Sequence, residues 1–360
     1  MKIVDRYITQ TVLSGTLIVL FILVGLFTFF SFIDELDDIG KQRYGLQQVI
    51  QYIALEIPQH IYDLFPSAIL LGSLLGLGIL ANHNELTVMR AAGLSILRIV
   101  IAVLKIGLLL TLLAMLIGET LSPLSQQYAY HSRAVAQSEH ENQQIVFSNR
   151  YGFWARDGND FINITTIFPE GSFGGIALYQ FDDQQNLQMV TYARIAYYQN
   201  GQWLLKQVER NHIQANQITR EYLESTTWNN AVLKPELIKI VVIHPHQLSS
   251  LGLYKYIQYL KHNEQQTAQY EFAFWTRLSY PLTAATMLIL AIPFIFGSLR
   301  SVSIGQRILV GALIGVGFHM LNQASGNIGL VYGISPVVSA LFPPLLFLIV
   351  ALFLMQRVIF

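Results

Sequence analysis

The sequence predicts an α-helical membrane protein of six transmembrane helices, with an all-β, jelly-roll-like domain inserted between the third and fourth. Three observations carry this. The chain is 53% hydrophobic and only 12% charged, against roughly 25% charged in ordinary soluble domains. Its apolar residues gather into six runs of spanning length. The longest polar stretch, 122–270, holds closely spaced β-rich segments separated by turn residues. Net charge is formally zero and the sequence pI about 7.1, so no basic excess points to nucleic acid. The absence of cysteine excludes disulfides, thiol catalysis and Cys-type zinc or iron-sulfur sites.

The spans fall at Thr11–Phe32, Asp63–Ala81, Leu97–Ile117, Leu278–Leu299, Ile308–Asn327 and Pro336–Met355. The first apolar run is too long for a signal-peptide core and is followed by acids, so it reads as a transmembrane helix. Lys and Arg remain on the cytoplasmic side of short loops. Lys2, Arg6, Arg90, Arg98, Arg300, Arg307 and Arg357 share one side, whereas Lys41 and Arg43 sit among Asp34, Glu35, Asp37, Asp38 and Glu56 on the other. Both termini are therefore expected in the cytoplasm and the 122–270 region in the periplasm. Three parts follow: 1–121 with three spans, 122–270 with its flanking helical stalks, and 271–360 with three more.

Between the second and third spans lies a polar island, Ala81–Ser95. Asn82 as N-cap, Glu85 three residues on as a capping-box carboxylate and Gly93 as a left-handed stop frame one short helix. Leu86, Met89 and Gly93 share a face, with Asn84, Thr87 and Arg90 turned away, so the helix is amphipathic. It is either a plain connector, with Glu85 serving only its N-terminus, or a lever that a partner pushes.

In the inserted domain, Gln144–Ser148, Tyr151–Arg156, Phe161–Ile167, Gly175–Phe181, Leu187–Tyr198, Trp203–Val208 and Ile238–Ile243 read as strands. Short strands without intervening helices suggest an antiparallel sandwich or jelly roll. Residues 126–140 and 252–262 read as helical stalks.

Catalytic motifs are missing. The one Gly-Lys pair, Gly40-Lys41, lacks the rest of a P-loop. His140-Glu141 starts like a zinc-hydrolase helix, but Gln144 stands where the second His belongs, and His244-Pro-His246 has no third ligand. No Gly-x-Ser-x-Gly elbow occurs. Neither a catalytic residue nor a metal site is assigned.

Within the spans, Gly72-x3-Gly76 and Gly311-x3-Gly315 place small residues on one face, which favours close packing over a dedicated gate. His319, Asn322, Gln323, Gly326 and Asn327 form a polar stripe at helical spacing on the fifth span. Polar groups facing lipid are costly, so the stripe faces either a neighbouring helix or a wet cavity. Lys105 is placed to snorkel to the cytoplasmic surface. Arg133, beyond the third span, can pair with a phosphate if it lies at a cavity rim.

At this point a resemblance enters. Asp5-Arg6-Tyr7-Ile8, the run Leu71–Ala81 leading into Asn84-Glu85-Leu86, and Arg90-Ala-Ala-Gly93 resemble the LptF/LptG permeases of the lipopolysaccharide exporter. Gly152–Gly158, Phe296–Arg300 and Leu330–Gly333 are similar to its G branch in particular. The resemblance implies a six-span half-transporter of the bacterial inner membrane, with a periplasmic jelly roll. It further implies pairing with an LptF-like sister permease, two LptB-like ATPase subunits that bind the ATP and magnesium, and an LptC-like single-helix protein. This chain would hold no cofactor of its own. The helix at 84–92 would be the coupling helix, with Asn84, Glu85, Leu86, Met89 and Arg90 facing the ATPase.

Lipopolysaccharide or lipooligosaccharide would enter from the outer leaflet, between the first span of one permease and the fifth of the other. Phe27, Phe30, His319, Asn322 and Gln323 would then line the cavity, with Arg133 at its rim and membrane lipids around it. One departure stands out: family members carry lysines at the outer end of the first span, where this chain has Ser31, Asp37 and Asp38. Two rival readings remain at this stage. A membrane-anchored periplasmic scaffold would keep its function after deletion of 84–92, and an intramembrane or periplasmic hydrolase would work without an ATPase partner.

Overall fold

The computed structural model describes residues 2–40, 44–136, 147–157, 159–168, 172–182, 184–199, 202–214, 217–228, 248–263, 265–296 and 303–359. Two compact units emerge, one of residues 1–37, 53–126 and 268–360, the other of 38–52 and 127–267. The helices are α1 (Lys2–Leu36), α2 (Leu46–Asn82), α3 (Glu85–Ala91), α4 (Ile96–Leu116), α5 (Ser122–Ala136), α6 (Ser250–His262), α7 (Ala268–Leu278), α8 (Tyr280–Phe296), α9 (Ile304–Tyr332) and α10 (Pro336–Ile359). A π-helical turn, Ile117–Leu121, joins α4 to α5.

Among the described residues five helices are long and apolar enough to cross a membrane, and six when the bent pair α7–α8 counts as one span. The expected fourth span, Leu278–Leu299, corresponds to α8, and the 51° break at Ser279 lies at its start, where α7 joins it. The second span, expected at Asp63–Ala81, lies within a longer helix. Helix α2 begins at Leu46, because the amphipathic turns before Asp63 continue the same helix through Pro58.

Helix α2 is the packing axis of the helical unit. Its spanning window is 72% buried, against 6% for α1 and 22% for α9. Close approach rests on glycine. A side chain on Gly72 would overlap the Thr16 backbone, and one on Gly76 would lie 2.7 Å from the Thr11 carbonyl oxygen. On another face, a Cβ on Gly311 of α9 would meet Leu74 at 2.6 Å, and Gly315 abuts Ser67. Both small-residue pairs therefore serve packing, as their spacing suggested.

Near the α5 end of this unit, three irregularities meet. Pro66 has no N–H, which leaves the carbonyl four residues back, that of Tyr62, without its helical donor. The Tyr280 hydroxyl fills the vacancy, donating to the Tyr62 oxygen at 2.8 Å. The two rings stack with centroids 4.3 Å apart. Tyr280 is the first residue after the break at Ser279. Arg277, before that break, donates to the Gly118 carbonyl within the π turn at 3.0 Å and pairs with Glu119 at 3.3 Å. Its guanidinium also lies over the Tyr62 ring, 5.5 Å from the centroid. Towards the α3 end, Arg307 is 1% exposed and donates to the Gly78 carbonyl at 2.8 Å, tying the first turns of α9 to the last turns of α2.

The second unit contains one antiparallel sheet, β1 (Phe147–Asp157), β2 (Asp160–Ile167), β3 (Phe173–Phe181), β4 (Leu187–Gln199), β5 (Gln202–Gln214) and β6 (Gln217–Trp228), paired in chain order. Among the described residues the strands follow one another as a meander, and a jelly-roll crossover is not among these connections. Alternate residues build the core, with Trp203 fully buried and stacked on Phe173 at 4.2 Å. Strand β6 was not foreseen. Its sequence is largely exposed and carries Arg220, Glu221 and Glu224, so no apolar alternation marks it. It is held instead by the β5 ladder and by cross-strand pairs such as Arg220–Glu209 at 3.1 Å. The expected strand Ile238–Ile243 lies outside the described residues.

A double-mutant cycle tests the Tyr62 carbonyl. Tyr280→Phe leaves it unsatisfied and should cost about 1–3 kcal/mol of unfolding free energy. In a Pro66→Ala background the restored N–H should reduce that cost to below about 1 kcal/mol. An equal loss in both backgrounds would separate the hydroxyl from the proline.

Candidate functional site

The short helix forms, but its start is not the one the spacing predicted. Asn82 ends α2 rather than capping α3. Asn84 occupies the N-cap in the left-handed region, φ 59°, with no side-chain cap, and Glu85 is the first helical residue. The capping box is therefore absent, because the turn at His83-Asn84 shifts the register by two residues. The stop is as expected. Gly93 has φ +88°, its N–H donates to the Arg90 carbonyl at 3.0 Å, and the Leu94 N–H donates to that of Met89 at 3.0 Å. This is a Schellman closure.

The face assignment holds for Leu86, Met89, Asn84, Thr87 and Arg90 but not for Gly93. Leu86 is 3% exposed and joins the helical core, Met89 packs against it, and Thr87, Val88 and Arg90 are exposed. Gly93 is exposed rather than inward, since the left-handed turn carries it off the helix face. Glu85 sits beside His83, whose Nδ1 is 3.8 Å from its carboxylate, and within hydrogen-bonding reach of the Tyr7 hydroxyl on α1.

The polar stripe of α9 is turned away from the helical core. His319, Gln323 and Asn327 are exposed and Asn322 half-buried, while Gly311, Gly315, Phe318 and Gly326 face inward. Gly326 is the small residue that lets Phe272 of α7 approach. Packing within this chain therefore does not account for the stripe. Phe27 and Phe30 are 44% and 53% exposed on α1. Beside them, His60 of α2 meets the Ser31 hydroxyl at 3.2 Å and stands 3.9 Å from Glu56.

Arg133, in the second unit, is already engaged. Its guanidinium pairs with Asp38 and lies over the Tyr52 ring at 5.1 Å, and Tyr52 meets Tyr130 edge-on at 5.8 Å. Sequence reasoning missed Asp38 as its partner, since the two are 95 residues apart. It also missed His60, Arg277 and Arg307. For these the available signal was a charged or polar residue inside or beside an apolar run.

Among the described residues, no group of three or more His, Asp or Glu side chains could hold a metal ion. His140, Glu141, Gln144, His244, His246 and Arg300 lie outside the described residues.

A bundle of helices long and apolar enough to span, with an inserted sheet and a polar stripe exposed on one of them, defines a multi-pass membrane protein. Residues 6–357 match the family described as the lipopolysaccharide export system permease LptF/LptG. The chain is similar to the lipopolysaccharide export system permease protein LptG of Escherichia coli K12, with 37% identity over 99% of this chain and 98% of that one. The LptG protein of Haemophilus influenzae is 36% identical over 98% of both. The chain belongs to the LptF/LptG family of lipopolysaccharide export permeases.

The seating of α3 yields a contrast. Leu86→Ala removes a buried anchor and should cost about 2–5 kcal/mol. Val88→Ser, on the exposed face, should stay within about 0.5 kcal/mol. Thermal denaturation of the purified variants in one detergent measures both, and equal destabilisation would contradict this seating.

Proposed function

We propose that this chain is the permease subunit that extracts lipopolysaccharide or lipooligosaccharide from the outer leaflet of the inner membrane and passes it to a periplasmic bridge. The observation that carries the reading is the α9 stripe: His319, Gln323 and Asn327 are uncovered on a membrane-depth helix. Polar groups in that position need a wet cavity or a partner chain. The uncovered apolar face of α1, where Phe27 and Phe30 are exposed, supplies a surface suited to acyl chains. An LptF-like sister permease would close the cavity from the other side, with an LptC-like single-helix protein associated. Both termini and α3 would be cytoplasmic and the sheet periplasmic, in keeping with the basic residues of the short loops.

The chain has no nucleotide motif, so work must arrive from outside. Helix α3 suits that role. It is anchored by Leu86 and Met89, exposes Asn84 and Arg90 and holds Glu85 half-buried at its start, a surface that would meet two LptB-like ATPase subunits, which would bind the ATP and magnesium. No observation favours the scaffold reading over this one.

Crosslinkers placed at His319 and Phe27 in the assembled complex should capture lipopolysaccharide. Arg133→Glu should weaken that capture and Asp38→Asn should strengthen it, because Asp38 competes with a lipid phosphate for the guanidinium. Unchanged capture in both variants would remove this pair from the binding site.

Glu85→Lys should leave the chain inserted and paired with its sister permease but reduce ATPase retention, or uncouple ATP hydrolysis from lipid release. The loss of one partner of a desolvated charge pair amounts to about 2–5 kcal/mol. Subunit content, ATPase rate and lipid release, measured together on the purified complex, check this. Normal values for all three would move the coupling contact away from Glu85.

A further inference from the structure

A second charged feature, away from the α9 stripe and Arg133, lies where α1 meets the start of α4. Asp5, Thr9, Arg98, Ile101, Ala102 and Lys105 line a cavity of about 320 Å³. Arg98 and Asp5 form a two-bond pair, Nε to Oδ1 at 3.2 Å and Nη2 to Oδ2 at 3.1 Å. Lys105 stands seven residues beyond Arg98 on α4, which returns it to nearly the same face about 10 Å further along the helix. It is exposed and has neither hydrogen bond nor ion pair among the described residues. Asp5, the carboxylate that shares the cavity, is held by Arg98. With two cations and one carboxylate, the cavity carries one positive charge in excess.

An ammonium at this depth of an apolar helix is costly without a counter-charge. Snorkelling along its own stem relieves part of the cost by bringing it towards the membrane surface, and so to the height of the headgroups. The border of the cavity narrows the choice of anion. Ile101 is 45% exposed, and Leu97 and Leu108 on the same helix are each 59% exposed. A ligand fitted to this surface carries phosphate and acyl chains together. Thr9 adds a hydroxyl beside the cations.

We propose that the cavity between α1 and α4 is a binding site for an anionic glycerophospholipid, its phosphate held by Lys105 with Arg98 and Thr9 in support, and its chains along α4. By the distribution of basic residues this site belongs to the cytoplasmic leaflet, at the end of the bundle that carries α3. It is therefore distinct from the transported lipid, which the proposed function draws from the opposite leaflet. A phosphate bound there bridges α1 to α4 beside the root of the coupling helix.

The test uses the purified complex, delipidated in mild detergent. Native mass spectrometry and thermal unfolding are followed during titration with phosphatidylglycerol, with phosphatidylcholine of the same chains, and with inorganic phosphate. Wild type and Lys105→Arg should retain phosphatidylglycerol and gain thermal stability from it. Lys105→Met, which suits lipid contact, and Lys105→Gln, which keeps a polar tip, should each bind it roughly fivefold more weakly, as expected for one basic residue near a membrane surface. Phosphatidylcholine should bind no better to wild type than to the neutral variants. Equal phosphatidylglycerol binding by wild type and both neutral variants would overturn the proposal. A stabilisation reproduced by inorganic phosphate would identify a free-anion site and overturn the lipid assignment. Because lipid retention and melting are read without lipopolysaccharide or ATP, failure here is distinguishable from failure of the export reading.

Discussion

The hydrocarbon interior offers no water to a stranded carbonyl, so each break in a spanning helix must be mended by protein. This constraint accounts for several of the polar groups buried in the helical unit. Pro66 strands the Tyr62 carbonyl and Tyr280 supplies its donor. The π turn is met by Arg277, which reaches Gly118 and Glu119 from α7. Arg307 reaches the Gly78 carbonyl from the first turn of α9. These groups resemble a functional site in type and depth, yet each has a structural partner. The α9 stripe differs because His319 and Gln323 are exposed. Burial alone therefore does not separate a structural polar group from an unexplained one, whereas exposure on a spanning helix does.

The same bonds determine what α3 is attached to. It follows α2 after a two-residue turn, His83-Asn84, of which Asn84 is left-handed, and its Leu86 enters the core that α2 organises. The α2 helix is bonded in turn to α9 through Arg307 and fitted to it through Gly311 and Gly315. A helix of seven residues has little stability of its own. Its position is imposed by this seating.

The features legible in the sequence were those that a local pattern encodes. Apolar runs marked the spans, and Gly93 marked a left-handed stop because few other residues adopt φ +88° cheaply. The small pair Gly72 and Gly76 marked a close helix contact. What stayed hidden depended on distant residues or on register. The cap failed because one left-handed turn at Asn84 moved the helix start, which no propensity scale resolves. The Tyr62 carbonyl stranded by Pro66 is satisfied by the Tyr280 hydroxyl, 218 residues away in sequence. Strand β6 has no buried face to impose alternation, and only pairing with β5 reveals it.

Arg133 shows how such distant partners change the meaning of a residue. By type and position it suits a lipid phosphate, and the acids at Asp37 and Asp38 looked like a separate departure in a place where lysines were expected. In the structure Asp38 and Arg133 are one feature, because Asp38 occupies the guanidinium and Tyr52 lies beneath it. A phosphate approaching Arg133 must displace a carboxylate from a half-buried pair instead of meeting an open cation. The contact then stabilises less than an isolated arginine would, by the interaction lost with Asp38, and the carboxylate repels the same ligand at close range. Asp38 thus governs how readily the Arg133 guanidinium is available to any other anion.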